Sequence, residues 1–330
     1  MNRRWLARLV ILGALCVAPS FLLRAQSPDQ TSQPNAIHGQ DSSITPPAEL
    51  PTRDDGQNKL GGGKSAADAV GSRFVGCAVG RLNGFTAERQ ADVGRSLAQQ
   101  IELHAKFVSD PVVTEYVNRI GQNIVRNSDA QVPFTFKVID SDAVNAMALP
   151  GGFFYINSGL LLAVDEEAEV AGIMAHEIAH VAACHAGRQW TESEVAIVPS
   201  IPIILPPGGI DQLARMGGIL TFTRGFEGEA DYLGIEYMYR AGYDPSALVS
   251  FFDKMENGPW RPGVVARSFE SHLQNADRIE KSQKEIRSIL PSRQQYIVTN
   301  SEFDEVKARL GAIQYKRKLL SSDRRPRVLF

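Results

Sequence analysis

From about residue 85 onward, the apolar positions recur with two periods, and each period predicts a different kind of element. The polar stretch from roughly Thr86 to Phe107 reads as a surface helix that includes His104. Asp110 then offers an N-cap and Pro111 a first-turn proline. Val113, Tyr116, Val117, Ile120 and Ile124 follow at the spacing of one buried helix face. Phe134, Phe136 and Val138 alternate with polar residues, as a strand half covered by a core would. A second strand, Phe153 to Asn157, follows Pro150-Gly151-Gly152 and is either a core strand or a sheet edge. Asp165, Glu166 and Glu167 open an apolar helix, where acidic side chains favour the N-terminus. A later helix runs to Gly242, and Asp244-Pro245 caps the next one. A helix from Asn275 to Ile289 leads to Tyr296-Ile297-Val298, and Phe303 to Leu310 reads as a short helix. The order predicts an α+β fold, mostly helical, with a small flanking sheet.

The first seventy residues follow other rules. Arg3, Arg4 and Arg8 precede an apolar run from Leu9 to Leu23, which predicts a signal peptide cleaved near Ala25. Pro19 and the shortness of the run argue against a stable membrane span, although an uncleaved anchor is the alternative. Residues 26–72 are rich in Gln, Ser, Pro, Asp and Gly, the composition of a disordered linker. Residues 73–290 then form the main domain, and 291–330 a C-terminal extension with a basic end. A chain of 330 residues that is 43% hydrophobic is long enough to bury a sizeable core. Its net charge of -2 gives no nucleic-acid signal. In an exported protein Cys77 and Cys184 either pair or remain two free thiols. The apolar segment 195–210 contains four prolines and cannot be one regular helix. It is a lid, a surface for clients or membrane, or a packed loop.

The candidate chemistry lies on two helices. His176, Glu177 and His180 form an H-E-x-x-H run. Side chains four apart share a helix face, so both imidazoles can bind one Zn²⁺, and Glu177 stands beside the open position as a general base. Glu227 and Asp231, also four apart, can complete the site. Glu227 closes a His₂Glu ligand set, and Asp231 accepts the outer ring N–H of a ligating histidine. Glu229 points to another side and is the weaker ligand candidate. Ala183 and Ala186 stand where a metzincin needs Gly and His, which excludes that pattern. Cys184 is not needed for a completed set, and His185 is expected to face away from the metal.

Four segments in order resemble one family. They are N-A-M-A-L-P-G-G from Asn145 to Gly152 with Gly159-Leu160-Leu161, the H-E-I-A-H-V helix, R-x-x-E-x-E-A-D from Arg224 to Asp231, and A-G-Y-D-P from Ala241 to Pro245. From about Phe85 to Leu310 the chain is similar to the zinc metallopeptidases that include the CAAX prenyl protease, HtpX, Oma-type and periplasmic BepA-like proteases. The resemblance implies that His176, His180 and Glu227 hold one zinc, that Glu177 is catalytic, and that Asp231 has a supporting proton-donor role. It also picks out His272 and Arg278, which keep the spacing of a histidine–arginine motif near the cleft although its proline is replaced by Leu273. His272 then stabilises an oxyanion, caps the metal, or is structural.

The expectation is therefore an exported, periplasmic zinc metalloendopeptidase. Its substrates would be polypeptides, above all misfolded envelope proteins, paired with the strand Phe153, Phe154, Tyr155 if that strand is an edge. The alternative is a chaperone-like client-binding protein with a latent or blocked zinc site. No repeat of tetratricopeptide period is present. The basic end, from Lys316 to Arg327, is either solvated or in peripheral contact with a membrane.

Overall fold

Helix α2 (Pro111–Arg126) begins as its sequence demands. The Asp110 carboxylate accepts from the backbone N–H of Val112 at 3.0 Å and of Val113 at 3.3 Å, and Val113, Tyr116, Val117, Ile120 and Ile124 are buried. The computed structural model of the protein describes residues 66–80, 83–192, 221–258, 269, 272 and 276–323, all within one compact unit. The leader, most of the linker, the segment 195–210 and the basic residues beyond 323 lie outside the described residues.

The remaining elements follow in chain order. Helix α1 is Ala87–His104; strands β1, β2 and β3 are Thr135–Ile139, Ala146–Leu149 and Phe153–Asn157. Then come α3 (Ser158–Ala163), α4 (Glu167–Ala182), α5 (His185–Glu192), α6 (Arg224–Ala241), α7 (Ser246–Asn257), α8 (Ala276–Ser288) and α9 (Ser301–Asp323). The helical content and the small sheet match the expected α+β class.

Every residue of α4 except Val181 is buried, and a helix apolar on all sides has to run through the middle of a fold. It packs on α2, α6, α7 and β2. Truncating one of its fully buried side chains, such as Ile178, to alanine costs about 2–5 kcal/mol. Its first turn is fixed by the buried carboxylate of Glu167, which accepts from the hydroxyls of Tyr116 at 2.8 Å and Tyr243 at 2.9 Å. The crossing of α6 over α4 is set by Gly234. A Cβ there would meet the backbone of His176 at 3.1 Å, so the absence of a side chain lets the two helices approach at the histidine. Helix α6 ends as expected at Gly242, whose φ of 93° is left-handed.

The sheet corrects one expectation. Its order is β1-β3-β2, with β3 parallel to β1 and antiparallel to β2. Strand β3 is thus central, and Phe154, Tyr155 and Ile156 are buried. Phe153, Phe154 and Tyr155 cannot pair with a substrate backbone, because their main-chain groups already serve two neighbouring strands. The edges are β1, whose end is covered by residues 106–108, and β2, a strand too short and too uniformly buried to show period-two alternation. Asn145 and Leu149 carbonyls accept from Asn157 and Gly152, so the main-chain groups of Ala146 and Ala148 face the other way.

Two helix ends also differ from the pattern. Helix α1 stops at His104 rather than Phe107, because the chain leaves it to bond the edge of β1: Val108 N–H donates to Val138 O, and Asp140 N–H to Lys106 O. Helix α9 runs 23 residues, well past Leu310. Gly311 in its interior has open space around it, and a mid-helix glycine costs only about 1 kcal/mol. The helix is held onto the domain by Arg309–Asp110 at 3.1 Å and by Arg317 with Asp140 and Asp142.

Candidate metal centre

One turn of α4 presents His176 and His180 on the same side, and the first turn of α6 presents Glu227 to them. The two Nε2 atoms lie 3.1 Å apart. Glu227 Oε2 is 3.3 Å from His176 Nε2, and Oε1 is 3.6 Å from His180 Nε2. His272 supplies a fourth atom: its Nδ1 is 3.3 Å from His176 Nε2 and 3.2 Å from Glu227 Oε1. These four residues form a metal-capable cluster among the described residues, and all are buried.

The spacing itself tests whether a metal fits. Each of the other three donors lies 3.1–3.3 Å from His176 Nε2, the separation of two atoms that each bind one zinc at about 2 Å, and all four donor atoms lie within 4.8 Å of one another. Both oxygens of Glu227 are buried without a hydrogen-bond partner, although three imidazole nitrogens and one Arg278 nitrogen stand within 3.6 Å of them. Close approach without hydrogen-bond alignment is what donors aimed at a shared centre produce. Two imidazoles, a carboxylate and a third imidazole are also a donor set that suits zinc.

Charge balance in this pocket is dominated by burial and by neighbours. Burial alone pulls His176 down, but Asp231 and Glu227 outweigh it and raise its pKa to about 9. His180, with less support, is driven well below the ordinary histidine value by burial. Burial works against the Glu227 carboxylate, yet His272 and His180 hold it well below the usual range. His272 is opposed by burial and raised by Glu177 and Glu227.

Glu177 stands beside the cluster and outside it. Its Oε2 accepts the Ala148 N–H at 3.2 Å, so the free edge of β2 is tied to the candidate base. Its Oε1 is 3.8 Å from His272 Nδ1 and has no hydrogen-bond partner. Burial raises its pKa from the ordinary glutamate value, against the opposing pull of His272 and His176.

Asp231 Oδ1 is 3.1 Å from His176 Nδ1, a short contact bent away from ideal hydrogen-bond alignment. It also receives two parallel bonds from Arg278, at 2.6 Å from Nε and 2.8 Å from Nη2. The same guanidinium donates to the His272 carbonyl at 3.1 Å and lies 3.2 Å from Glu227 Oε2. Arg278 therefore joins the carboxylates of α6 to the turn that carries His272. Ser271 and Leu273, which flank that histidine, lie outside the described residues.

His185 stays out of the donor cluster, as expected, but it packs directly on the outer nitrogen of His180. Helix α4 ends at Ala182, and Cys184 adopts a left-handed φ of 52°, which turns the chain back on itself. The five-residue spacing from His180 is then not helical. His185 Nδ1 lies 2.9 Å from His180 Nδ1, and its Nε2 is 3.4 Å from Glu229, which also holds Arg188 at 3.0 Å. Glu229 accordingly faces His185 and takes no part in the cluster. Phe222 stacks on the His180 ring with centroids 4.1 Å apart. Cys184 is bonded to Cys77, which resolves the pairing and removes the thiol from the ligand candidates.

A helix-borne His-Glu-His with a carboxylate from a second helix defines the class of H-E-x-x-H metallopeptidase folds. The model of peptidase family M48 matches residues 111–286, more than half of the chain, and the protein belongs to that family. Among its relatives is the beta-barrel assembly-enhancing protease of Yersinia pestis, 32% identical over 52% of this chain and 38% of that protein. The putative beta-barrel assembly-enhancing protease of Vibrio cholerae is 31% identical over 63% of this chain and 46% of its own length. The mitochondrial metalloendopeptidase OMA1 of Schizosaccharomyces pombe is 28% identical over 51% of each. The chain spans about half or less of the length of these curated relatives.

Proposed function

We propose that this chain is a zinc-dependent endopeptidase, exported to the periplasm, that removes misfolded or misassembled envelope proteins. The observation that carries the reading is the convergence of His176, His180 and Glu227 on one point with the Glu177 carboxylate beside it. Bound there, zinc supplies Lewis acidity, polarising a carbonyl and bringing the pKa of water to about 7. Glu177 takes the proton of the attacking water and returns it to the leaving amine; its buried, raised pKa suits a group that must both accept and release a proton. The outward main-chain groups of Ala146 and the carbonyl of Ala148 are where an extended substrate backbone pairs, the Ala148 N–H being held by Glu177. Asp231 and His185 hold the rings of His176 and His180 in orientation.

His272 Nδ1 lies within the donor cluster, where it would occupy a position that a substrate carbonyl needs at a bound zinc. We read the resting site as closed, with the turn bearing His272 displaced when substrate arrives. This feature also supports the alternative, a client-binding protein whose zinc site is blocked.

Two relatives are named for β-barrel assembly and one for a mitochondrial endopeptidase, which supports an envelope polypeptide as substrate. Among the described residues no helix is long and apolar enough to cross a membrane. Contact with a lipid surface through the basic end has little support from α9, where Arg317 is engaged by Asp140 and Asp142. We place the catalytic domain at 73–290, with 1–25 as leader, 26–72 as linker and 291–330 as extension. Metal analysis of the purified protein tests the site: one zinc per chain, lost on His176→Ala and on Glu227→Ala, is the expected result. Zinc retained at full stoichiometry in both variants, or absent from folded wild type, contradicts it.

A further inference from the structure

Beside His180, on the side of the candidate centre where β2 ends, lies a cleft of about 170 Å³. Its wall includes Phe74, Ala78, Val132, Pro150 and Phe222, and the Cys77–Cys184 disulfide forms part of it. Gln90, Gln131 and the His180 imidazole are its polar lining. No Asp, Glu, Lys or Arg lines it among the described residues. Ala148, whose carbonyl faces outward from β2 while its N–H is held by Glu177, sits on its rim, so a substrate strand paired along β2 would deliver a side chain to the cleft.

The wall opposite β2 is built by a segment distant in sequence and fastened at both ends. Arg73 is paired with Asp129 at 2.9 Å and with Glu236, while Cys77 is bonded to Cys184 in the turn between His180 and His185. Between them, Gly76 adopts a φ of 120° and comes so near Ala183 O that a Cβ would lie 2.8 Å from it. Phe74, on this fastened segment, leaves 53% of its surface uncovered at the mouth of the cleft. An apolar ring held at the rim of a cavity without charged lining is suited to covering an apolar group. A cavity of about 150 Å³ accommodates benzene, so this one has room for a leucine or phenylalanine side chain.

Resting on the endopeptidase reading, we propose that this cleft is the subsite that selects substrates. It takes one uncharged apolar side chain next to the scissile bond, and the disulfide-fastened segment 74–78 sets its size. A lysine or glutamate side chain entering it would leave its charge buried without a partner. Peptides with Leu or Phe at that position are then cleaved with kcat/KM about 100-fold or more above those with Lys or Glu, and at least about 10-fold above Ala. Ala78→Trp fills the cleft from an exposed position and moves the preference toward Gly and Ala. The paired change Cys77→Ser with Cys184→Ser loosens the wall and flattens the preference among Leu, Phe and Ala.

The experiment digests a peptide library with the full chain and reads cleavage sites by mass spectrometry, for wild type, Ala78→Trp and the double serine variant. In parallel, fluorescence anisotropy measures Leu- and Lys-containing peptides binding to Glu177→Gln. An apolar preference that shrinks in size range with Ala78→Trp supports the subsite. Indifference to side-chain charge, or a preference that Ala78→Trp leaves unchanged, overturns it. Absence of any Glu177-dependent cleavage overturns the endopeptidase reading and leaves the anisotropy to decide the cleft. There, tighter binding of the Leu peptide upholds the cleft and equal binding of the two peptides sinks it.

Discussion

Asp231 and Arg278 make a sharp test, because they join the candidate centre to the turn carrying His272 and both are almost wholly buried. The carboxylate receives two hydrogen bonds from the guanidinium, at 2.6 and 2.8 Å. Side-chain exposure is 4% for Asp231 and 8% for Arg278, so removing one partner leaves the other charge in a low-dielectric site. Such losses cost about 3–5 kcal/mol each. Removing both restores neutrality, so the double variant Asp231→Ala, Arg278→Met should be far less destabilised than the sum of the singles, with a coupling of about 2 kcal/mol or more. The measurement is urea unfolding of wild type, both singles and the double with chelator present, then again with zinc. Arg278 also lies 3.2 Å from Glu227, so without it two carboxylates are left facing each other. Zinc should therefore recover more stability in Arg278→Met than in Asp231→Ala. Additive single effects, within about 0.5 kcal/mol, would falsify the view that this pair acts as a buried unit.

Three further outcomes follow from the same geometry. His272→Ala removes the fourth donor of the cluster, so we expect weaker zinc binding but faster peptide cleavage; slower cleavage at equal zinc content would instead make His272 a catalytic group. His185→Ala removes the ring against His180 Nδ1 and should weaken zinc about 10- to 100-fold by competition titration, whereas an unchanged affinity would return His185 to a packing role. Glu285, buried on α8, has its pKa raised to about 9 by burial and by the like charges of Glu236 and Asp231. Between the ordinary carboxyl value and about 9 the folded form keeps a proton that the unfolded form has lost. Stability therefore falls as pH rises through that window, by up to about 1.4 kcal/mol per unit. Glu285→Gln should flatten this slope in thermal melts from pH 5 to 9, and an identical slope in both proteins would refute the assignment.

What the sequence made legible is what local rules govern. Asp110-Pro111, the spacing through Ile124 and Gly242 each express a cap or a helical face, and the elements formed accordingly. The four-residue spacings of His176 with His180 and of Glu227 with Asp231 placed each pair on one helix face without reference to the rest of the chain. The parts that stayed hidden depend on contacts between distant segments. Strand β2 has four residues, three of them buried, and carries no alternation to read. Nothing in the sequence of β3 says which neighbours it has, and the sheet put it in the centre. His185 reaches His180 only because Cys184 takes a left-handed turn, a backbone state that a cysteine does not announce. Cys77 meets Cys184 across a separation of 107 residues. Arg278 was visible as a spacing from His272, but its bond to Asp231 arises from the packing of α8 on α6.

In the proposed mechanism Glu177 performs proton transfer at a zinc held by His176, His180 and Glu227. Its most direct test is casein cleavage by wild type and Glu177→Gln, purified without residues 1–25 and matched for zinc content. One zinc per chain is expected in both proteins, with cleavage by wild type and loss of cleavage in Glu177→Gln. Equal cleavage by the two proteins at matched zinc would contradict the mechanism.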